Sequence, residues 1–157
     1  MTRENIGYSE ALKLTLGSLS SLETESVVLS ECQDRVAAYE LRALVDSPSV
    51  DASLKDGFAI YSRDIEDASG ERPVTLRLLG TAAAGVPFDG SVRSTCAVRI
   101  LSGGRIPHGA DAVVAEEFTR VDGDEVIVTN HAEPGRNVFP KGRDVARGEI
   151  IVKTGTR

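Results

Sequence analysis

From Arg42 onward, glycines and prolines interrupt this sequence so often that only short regular elements fit between them. The interruptions up to residue 90 fall at Pro48, Gly57, Gly70, Pro73, Gly80, Gly85, Pro87 and Gly90. Short apolar runs bounded by glycine and proline are typical of strands joined by turns. Most of the chain is therefore predicted to be β-structure.

Several segments of this region have the composition of strands. The candidates are Val74–Leu79, Val92–Leu101, Ala112–Val121, Glu125–Thr129 and a further short strand around Ile150–Lys153. Within the second candidate, Cys96, Val98 and Ile100 alternate with their neighbours and would share one face of a sheet. Asp122-Gly123 lies between the third and fourth candidates and predicts a tight hairpin.

Two helices are predicted before this region. The first runs from a cap at Ser9 to Leu22, with apolar residues at helical spacing. The second, of about three turns, begins at Ser30, where Gln33 completes a capping-box pattern. Helices followed by strands, without interleaving, indicate an α+β fold that is mostly β rather than a doubly wound parallel sheet.

The domain organisation is suggested by changes in composition near Asp46 and at Pro134-Gly135. They predict a β-rich domain over residues 47–132, inserted between two parts of another domain. Those two parts would be residues 1–46, which are helical, and residues 133–157.

Charge and cysteine content exclude several classes of function. The net charge is −6 and the 18 Lys and Arg residues are scattered, whereas nucleic-acid binding needs a concentrated basic face. No apolar run reaches the roughly 18 residues that a membrane span requires. The first eight residues have no signal-peptide pattern, and the two cysteines, Cys32 and Cys96, suit a reducing compartment. We therefore expect a cytoplasmic protein that binds neither nucleic acid nor membrane.

The densest polar cluster runs from Asp51 to Phe58. Ser53 and Lys55 are possible donors to an oxyanion, and Asp56 could hold a metal or orient Lys55. The alternative is an ordinary polar turn that enters a strand, with Asp56-Gly57 as the turn pair.

A second cluster begins at Ser102 and continues through Gly103, Gly104 and Arg105. Adjacent glycines allow close approach of a ligand, and successive backbone N–H groups can form an anion-binding nest. The alternative is a long loop between strands. Farther along, Glu116 and Glu117 would face opposite ways if they are strand residues, so they are not predicted to act as paired acids.

Three segments resemble one protein family. Residues 47–59 (SPSVDASLKDGFA) resemble the pattern PPF(D/P)(N/A)Sx(M/K)DG(Y/F)A, and residues 98–114 (VRILSGGRIPHGADAVV) resemble RIxTGAx(L/V)PxGADAVV. Residues 134–149 (PGRNVFPKGRDVARGE) resemble PGxN(V/I)RxxGED(I/V)xxG. Their order and spacing are similar to those of the molybdopterin molybdenumtransferase family, which includes MoeA and the gephyrin E-domain.

The resemblance implies a fold and an activity. The fold would be an elongated, discontinuous linker domain with an inserted β-rich domain. The complete enzyme would insert molybdate into adenylylated molybdopterin with a divalent metal, Mg²⁺, and release AMP. Its active site would lie in a cleft shared with the pterin-binding domain of the other subunit of a homodimer.

By motif position, the resemblance also implies site residues. Asp56 and Lys55 would be catalytic, and Asp56 would bind the metal. Ser53 and the loop of Ser102, Gly103 and Gly104 would bind substrate, with Ser102 in the position of the usual threonine.

The chain stops at Arg157, where members of this family continue into the pterin-binding domain. We therefore expect the chain to be catalytically incomplete by itself. Two alternatives are a non-catalytic interaction module that retained the fold, and a stand-alone oxyanion-binding protein. The downstream reading frame would separate the first alternative from the enzyme.

Overall fold

The computed structural model of this chain describes residues 6–157. It divides into two compact units, of which the larger is Leu41–Val152 and the smaller combines the segments before and after it. The domain boundaries expected after residues 46 and 132 stay a prediction. Residues 1–5, which enter the signal-peptide interpretation, lie outside the described part of the chain.

The regular elements of the described residues are one helix and ten short strands. In chain order they are α1 (Tyr8–Ser18), β1 (Leu41–Arg42), β2 (Ala52–Ser53), β3 (Gly57–Ile60), β4 (Val74–Ala82), β5 (Cys96–Ile100), β6 (Ala112–Ala115), β7 (Thr119–Asp122), β8 (Glu125–Val128), β9 (Val138–Phe139) and β10 (Ile150–Val152). The 3₁₀ turns are Leu29–Glu31, Ser62–Ile65 and Glu116–Phe118. The prediction of an α+β fold that is mostly β is confirmed.

Six strands form the main sheet, in the order β6-β3-β5-β4-β8-β7. All neighbours are antiparallel except β4 and β5, which are parallel. The two edge strands, β6 and β7, are joined by only three residues. Because four residue steps span at most about 14 Å, the sheet must curl until its edges lie close together.

Both faces of the sheet carry buried apolar side chains. One face contributes Phe58, Ile60, Leu76, Ala97 and Val126 to a core cluster, and the other contributes Ala59, Ala82, Val98, Ile100 and Val113 to a second cluster. Successive residues of a strand point to opposite faces, so β3 is buried along its whole length. The shared face predicted for Val98 and Ile100 is confirmed, and Ala97 on the opposite face is equally buried.

Two short antiparallel ribbons accompany the sheet, β1 with β10 and β2 with β9. A bridge between Ser47 and Val145 continues the first ribbon. The chain therefore enters and leaves the larger unit along neighbouring paths.

The second predicted helix is wrong, because only the 3₁₀ turn Leu29–Glu31 forms there. Asp34 has a φ of 64°, in the left-handed region, which ends any helical continuation. Val36, on the expected apolar stripe, is exposed. Without burial of an apolar face a helix of three turns is marginal in water, so the capping-box pattern starts a turn and no more.

The first helix is confirmed but shorter than predicted. It ends at Ser18, and Gly7 rather than Ser9 precedes it as the N-cap, without a side-chain capping bond. Leu19 and Leu22, the last two leucines of the pattern, are exposed. Helical spacing therefore overestimated the length of the helix.

Two strand predictions also needed correction. The segment Ala112–Val121 is not one strand, because the 3₁₀ turn Glu116–Phe118 divides it into β6 and β7. The strand expected from Val92 begins only at Cys96, after Thr95 with a φ of 62°. The hairpin at Asp122-Gly123 is confirmed, since Asp122 pairs with Glu125.

Thr95 is expected to weaken the fold, because a β-branched residue in the left-handed region is strained. We predict that Thr95→Gly raises the free energy of unfolding by about 1 kcal/mol, since relief of the left-handed cost exceeds the entropy that glycine adds to the unfolded chain. Chemical denaturation would measure it. Thr75→Gly, in exposed extended backbone of β4, is the matched control and should destabilise; a loss of stability in both variants would contradict the prediction.

Candidate functional site

The three segments that carry the sequence motifs meet in the folded chain. The Ser53 N–H donates to the Gly104 carbonyl at 2.9 Å, which joins the first segment to the second. The Leu54 N–H donates to the Asn137 carbonyl at 2.9 Å, and β2 pairs with β9, which joins the first segment to the third. Segments about 50 and 85 residues apart in sequence therefore form one assembly.

The third segment braces the other two. The side-chain amide of Asn137 donates to the Val113 carbonyl at 2.8 Å, at the outer edge of β6. The backbone N–H of Lys141 donates to the Asp51 carboxylate at 2.7 Å. These contacts fix the position of the Asp51–Asp56 loop relative to the sheet.

Ser53 lies inside this loop rather than at its surface. The residue is only 4% exposed. The hydroxyl donates to the Lys55 carbonyl at 2.6 Å and accepts the Lys55 N–H at 3.2 Å. Since its one hydrogen is already donated, Ser53 is not available as a direct donor to an oxyanion, contrary to the sequence-based expectation. It shapes the turn that presents Lys55 and Asp56.

The glycine loop does not present the anion-binding nest that its sequence could form, which favours the alternative of a loop between strands. The Gly103 N–H donates to the Ser53 carbonyl at 2.8 Å, and the Gly104 N–H donates to the Leu101 carbonyl at 2.8 Å. Gly104 is buried, and a Cβ there would lie 2.8 Å from the Leu101 carbonyl oxygen. Gly104 thus allows close packing of the loops, Gly103 has a left-handed φ of 77°, and both N–H groups are occupied.

Asp56 and Ser102 are in direct contact at the surface. The Ser102 N–H donates to Asp56 Oδ1 at 2.6 Å. This backbone hydrogen bond is the main reason why the pKa of Asp56 lies below its ordinary value, followed by the Ser102 side chain, with the Arg99 charge contributing less. Asp56 is therefore an ionised carboxylate that is held in place by Ser102.

Around this pair lies an open pocket of about 460 Å³, lined by Lys55, Asp56, Ser102, Glu116 and Glu117. We call it the acidic pocket. Glu116 and Glu117 were not predicted to act together, because alternation along a strand would separate them. They belong instead to the 3₁₀ turn between β6 and β7, where both reach the pocket. The break in the strand carries no clear sequence signal.

The acidic pocket contains three carboxylates and one lysine. Arg99, behind it on β5, donates to Glu116 Oε1 at 2.9 Å. Among residues 6–157 no group of three or more metal-ligating side chains has a geometry that could hold an ion. Asp56 with at most one further carboxylate still fits Mg²⁺, which usually keeps several waters and uses substrate oxygens as its other ligands.

Comparison with known proteins identifies the family of this chain. A family profile described as the MoeA N-terminal region (domain I and II) matches residues 6–157. The chain belongs to the MoeA N-terminal family. This membership confirms the resemblance inferred from the three motifs, all of which lie within the matched residues.

Similar curated proteins are longer than this MoeA N-terminal chain. The molybdopterin molybdenumtransferase of Staphylococcus aureus (strain MSSA476) is 33% identical over 153 residues, covering 98% of this chain and 36% of its own length. The Bacillus subtilis (strain 168) protein of the same name is 31% identical over 159 residues, covering 99% and 37%.

Solved structures agree. The crystal structure of the molybdopterin biosynthesis moeA protein from Pyrococcus horikoshii OT3 superimposes with a TM-score of 0.87 at 34% identity, over 96% of this chain and 40% of that one. The chain thus spans less than half of each of these proteins.

Among residues 6–157 we find no helix that is both long and apolar enough to cross a membrane.

The lowered pKa of Asp56 predicts a pH dependence. Because the folded pKa is below the ordinary 3.8, the ionised carboxylate stabilises the fold above that value, and this contribution is lost as the pH falls through the folded pKa. A ¹³C NMR titration of the side-chain carboxyl should report a lowered midpoint. Ser102→Ala should keep most of the shift, since the main cause is the backbone N–H; an ordinary midpoint in the unmodified chain would refute the assignment.

Proposed function

We propose that this chain forms one wall of the active site of a molybdopterin molybdenumtransferase. The complete enzyme would transfer molybdate to adenylylated molybdopterin with release of AMP. The chain would be catalytically incomplete without a pterin-binding domain. The relatives that carry this name match nearly the whole chain, which supports the proposal.

The observation that carries the proposal is that the first two motifs line the acidic pocket together, while the third motif braces them. Lys55 and Asp56 come from the first motif and Ser102 from the second, and all three line the same open surface. Molybdate is a tetrahedral dianion, so its site requires hydroxyl donors and positive charge. Lys55 supplies a cation and Ser102 a hydroxyl that would turn from Asp56 to the oxyanion, while Ser53, Gly103 and Gly104 position them.

We propose Mg²⁺ as the metal and Asp56 as its ligand from this chain. The Ser102 N–H keeps Asp56 ionised and fixed in direction, and the carboxylate lies at the open surface of the acidic pocket. When bound, the ion would supply positive charge that offsets the carboxylates of the acidic pocket. Lys55 would then orient the oxyanion beside it.

We further propose that the protein works as a homodimer in the cytoplasm. Helix α1 has no buried residue, and Leu14, Leu16 and Leu19 on and after it are exposed, which favours a covered surface in the working assembly. Both cysteines have free thiols, which suits a reducing compartment.

A stand-alone oxyanion-binding protein is less favoured, because the loop N–H groups that would bind the oxyanion already donate to other groups of the chain.

The test is a molybdenum-transfer assay on the protein encoded by the complete reading frame. Adenylylated molybdopterin, molybdate and Mg²⁺ would be supplied, and we expect AMP and molybdenum cofactor in equal amounts. A folded protein that binds adenylylated molybdopterin and releases no AMP would exclude the enzymatic function and favour the interaction module.

A further inference from the structure

Arg99 lies on strand β5, outside the loops that line the acidic pocket, and acts on the pocket through Glu116. Its guanidinium donates to Glu116 Oε1 at 2.9 Å, and both side chains are about half exposed. The Glu116 N–H in turn donates to the Asp56 carbonyl at 3.0 Å. Glu116 is therefore held at its backbone by the Asp56 loop and at its carboxylate by Arg99.

The charges of these groups decide what the acidic pocket attracts. Asp56, Glu116 and Glu117 contribute three negative charges, and Lys55 contributes one positive charge. Without Arg99 the sum is −2, and with Arg99 it is −1. After a divalent cation binds, the sum is zero without Arg99 and +1 with it, so only the second state attracts a dianion.

We propose that Arg99 is a positioning residue that neutralises Glu116 and thereby lets the cation-loaded acidic pocket bind a doubly charged tetrahedral oxyanion. The inference rests on the proposed function for the identity of the two ions. Arginine suits this task because its planar guanidinium group can donate two hydrogen bonds to one carboxylate and stays charged at every relevant pH. The effect should be electrostatic, so it should weaken as ionic strength rises.

The experiment is an NMR titration of this chain with molybdate at saturating Mg²⁺, following the backbone amide of Ser102. At low ionic strength we expect Arg99→Gln to raise the molybdate Kd about tenfold. Arg99→Lys keeps the charge and should stay within about threefold of the original Kd. The double variant Arg99→Gln with Glu116→Gln restores the summed charge of −1. It should return the molybdate Kd to within about twofold of the original value. A merely structural role of Arg99 would not be repaired by removing its partner.

Each outcome of this titration either supports or overturns the role of Arg99. An unchanged Kd in Arg99→Gln, a double variant as weak as the single one, or no response of the unmodified chain to molybdate would overturn the inference. A salt-independent loss would also overturn it, since it would indicate damage to the fold. If the Kd pattern is as expected but the complete protein inserts no molybdenum, the proposed function fails and the role of Arg99 in oxyanion binding stands.

Discussion

Gly57→Ala should destabilise the larger unit by about 3 kcal/mol or more. A Cβ at this position would lie 2.0 Å from the Val114 carbonyl oxygen and 2.9 Å from the Val114 carbonyl carbon. Both atoms are backbone of strand β6, which cannot yield without breaking its pairing with β3. The measurement is chemical denaturation followed by circular dichroism.

A matched control for this prediction is Gly70→Ala. Gly70 is exposed, lacks a left-handed φ, and a Cβ there would meet nothing within 4 Å. Its substitution should change the free energy of unfolding by no more than about 0.5 kcal/mol. Equal stabilities of the two variants would show that β3 and β6 do not approach as closely as described.

Gly57 also connects the fold to the acidic pocket. It follows Asp56, and the Asp56 carbonyl accepts the Glu116 N–H from the turn after β6. Displacement of β6 would therefore move both Asp56 and Glu116. We interpret the Asp-Gly pair of the first motif as a carboxylate placed at the start of a strand that must pack against its neighbour without a side chain.

Asp56→Asn should lower molybdenum transfer by the protein of the complete reading frame by about 100-fold or more, while the protein stays folded. Asparagine keeps an oxygen that can accept the Ser102 N–H, so the loop should retain its shape. It removes the negative charge that would hold Mg²⁺ under the proposed function. The measurement is the rate of AMP release, with a thermal melt to establish folding.

The control for this second prediction is Asp124→Asn. Asp124 is exposed in the hairpin turn between β7 and β8 and does not line the acidic pocket. That variant should transfer molybdenum at an unaltered rate. If Asp56→Asn retains more than half of the original rate, Asp56 has no part in the chemistry.

Much of the fold followed from local patterns. Glycine and proline spacing indicated the β-rich region, alternation placed Val98 and Ile100 on one face, and Asp122-Gly123 located a hairpin that forms. These features were predictable because each depends on neighbours within a few residues. The second helix failed for the opposite reason: its capping box was present, but no apolar surface was available to bury its face.

The candidate site divides in the same way. The motifs alone identified Lys55, Asp56 and Ser102, and these three side chains meet at the acidic pocket. Ser53, Gly103 and Gly104 were expected to bind substrate, and in the folded chain their hydroxyl and N–H groups donate to protein carbonyls instead. Whether a hydroxyl or an N–H is free depends on which distant carbonyl it meets, and local spacing carries no such information.

The sequence by itself determined the types of chemical groups, the order of the motifs, and the preference for short strands, because these follow from residue identity and near-neighbour geometry. Only the tertiary structure decided which donors stay open. It filled the glycine loop with internal hydrogen bonds, turned Ser53 inward, and brought Glu116 and Glu117 to Asp56 through a turn between the two edges of the curled sheet. Pairing between segments distant in sequence is set by the packing of the whole sheet, so it appears only when the chain is folded.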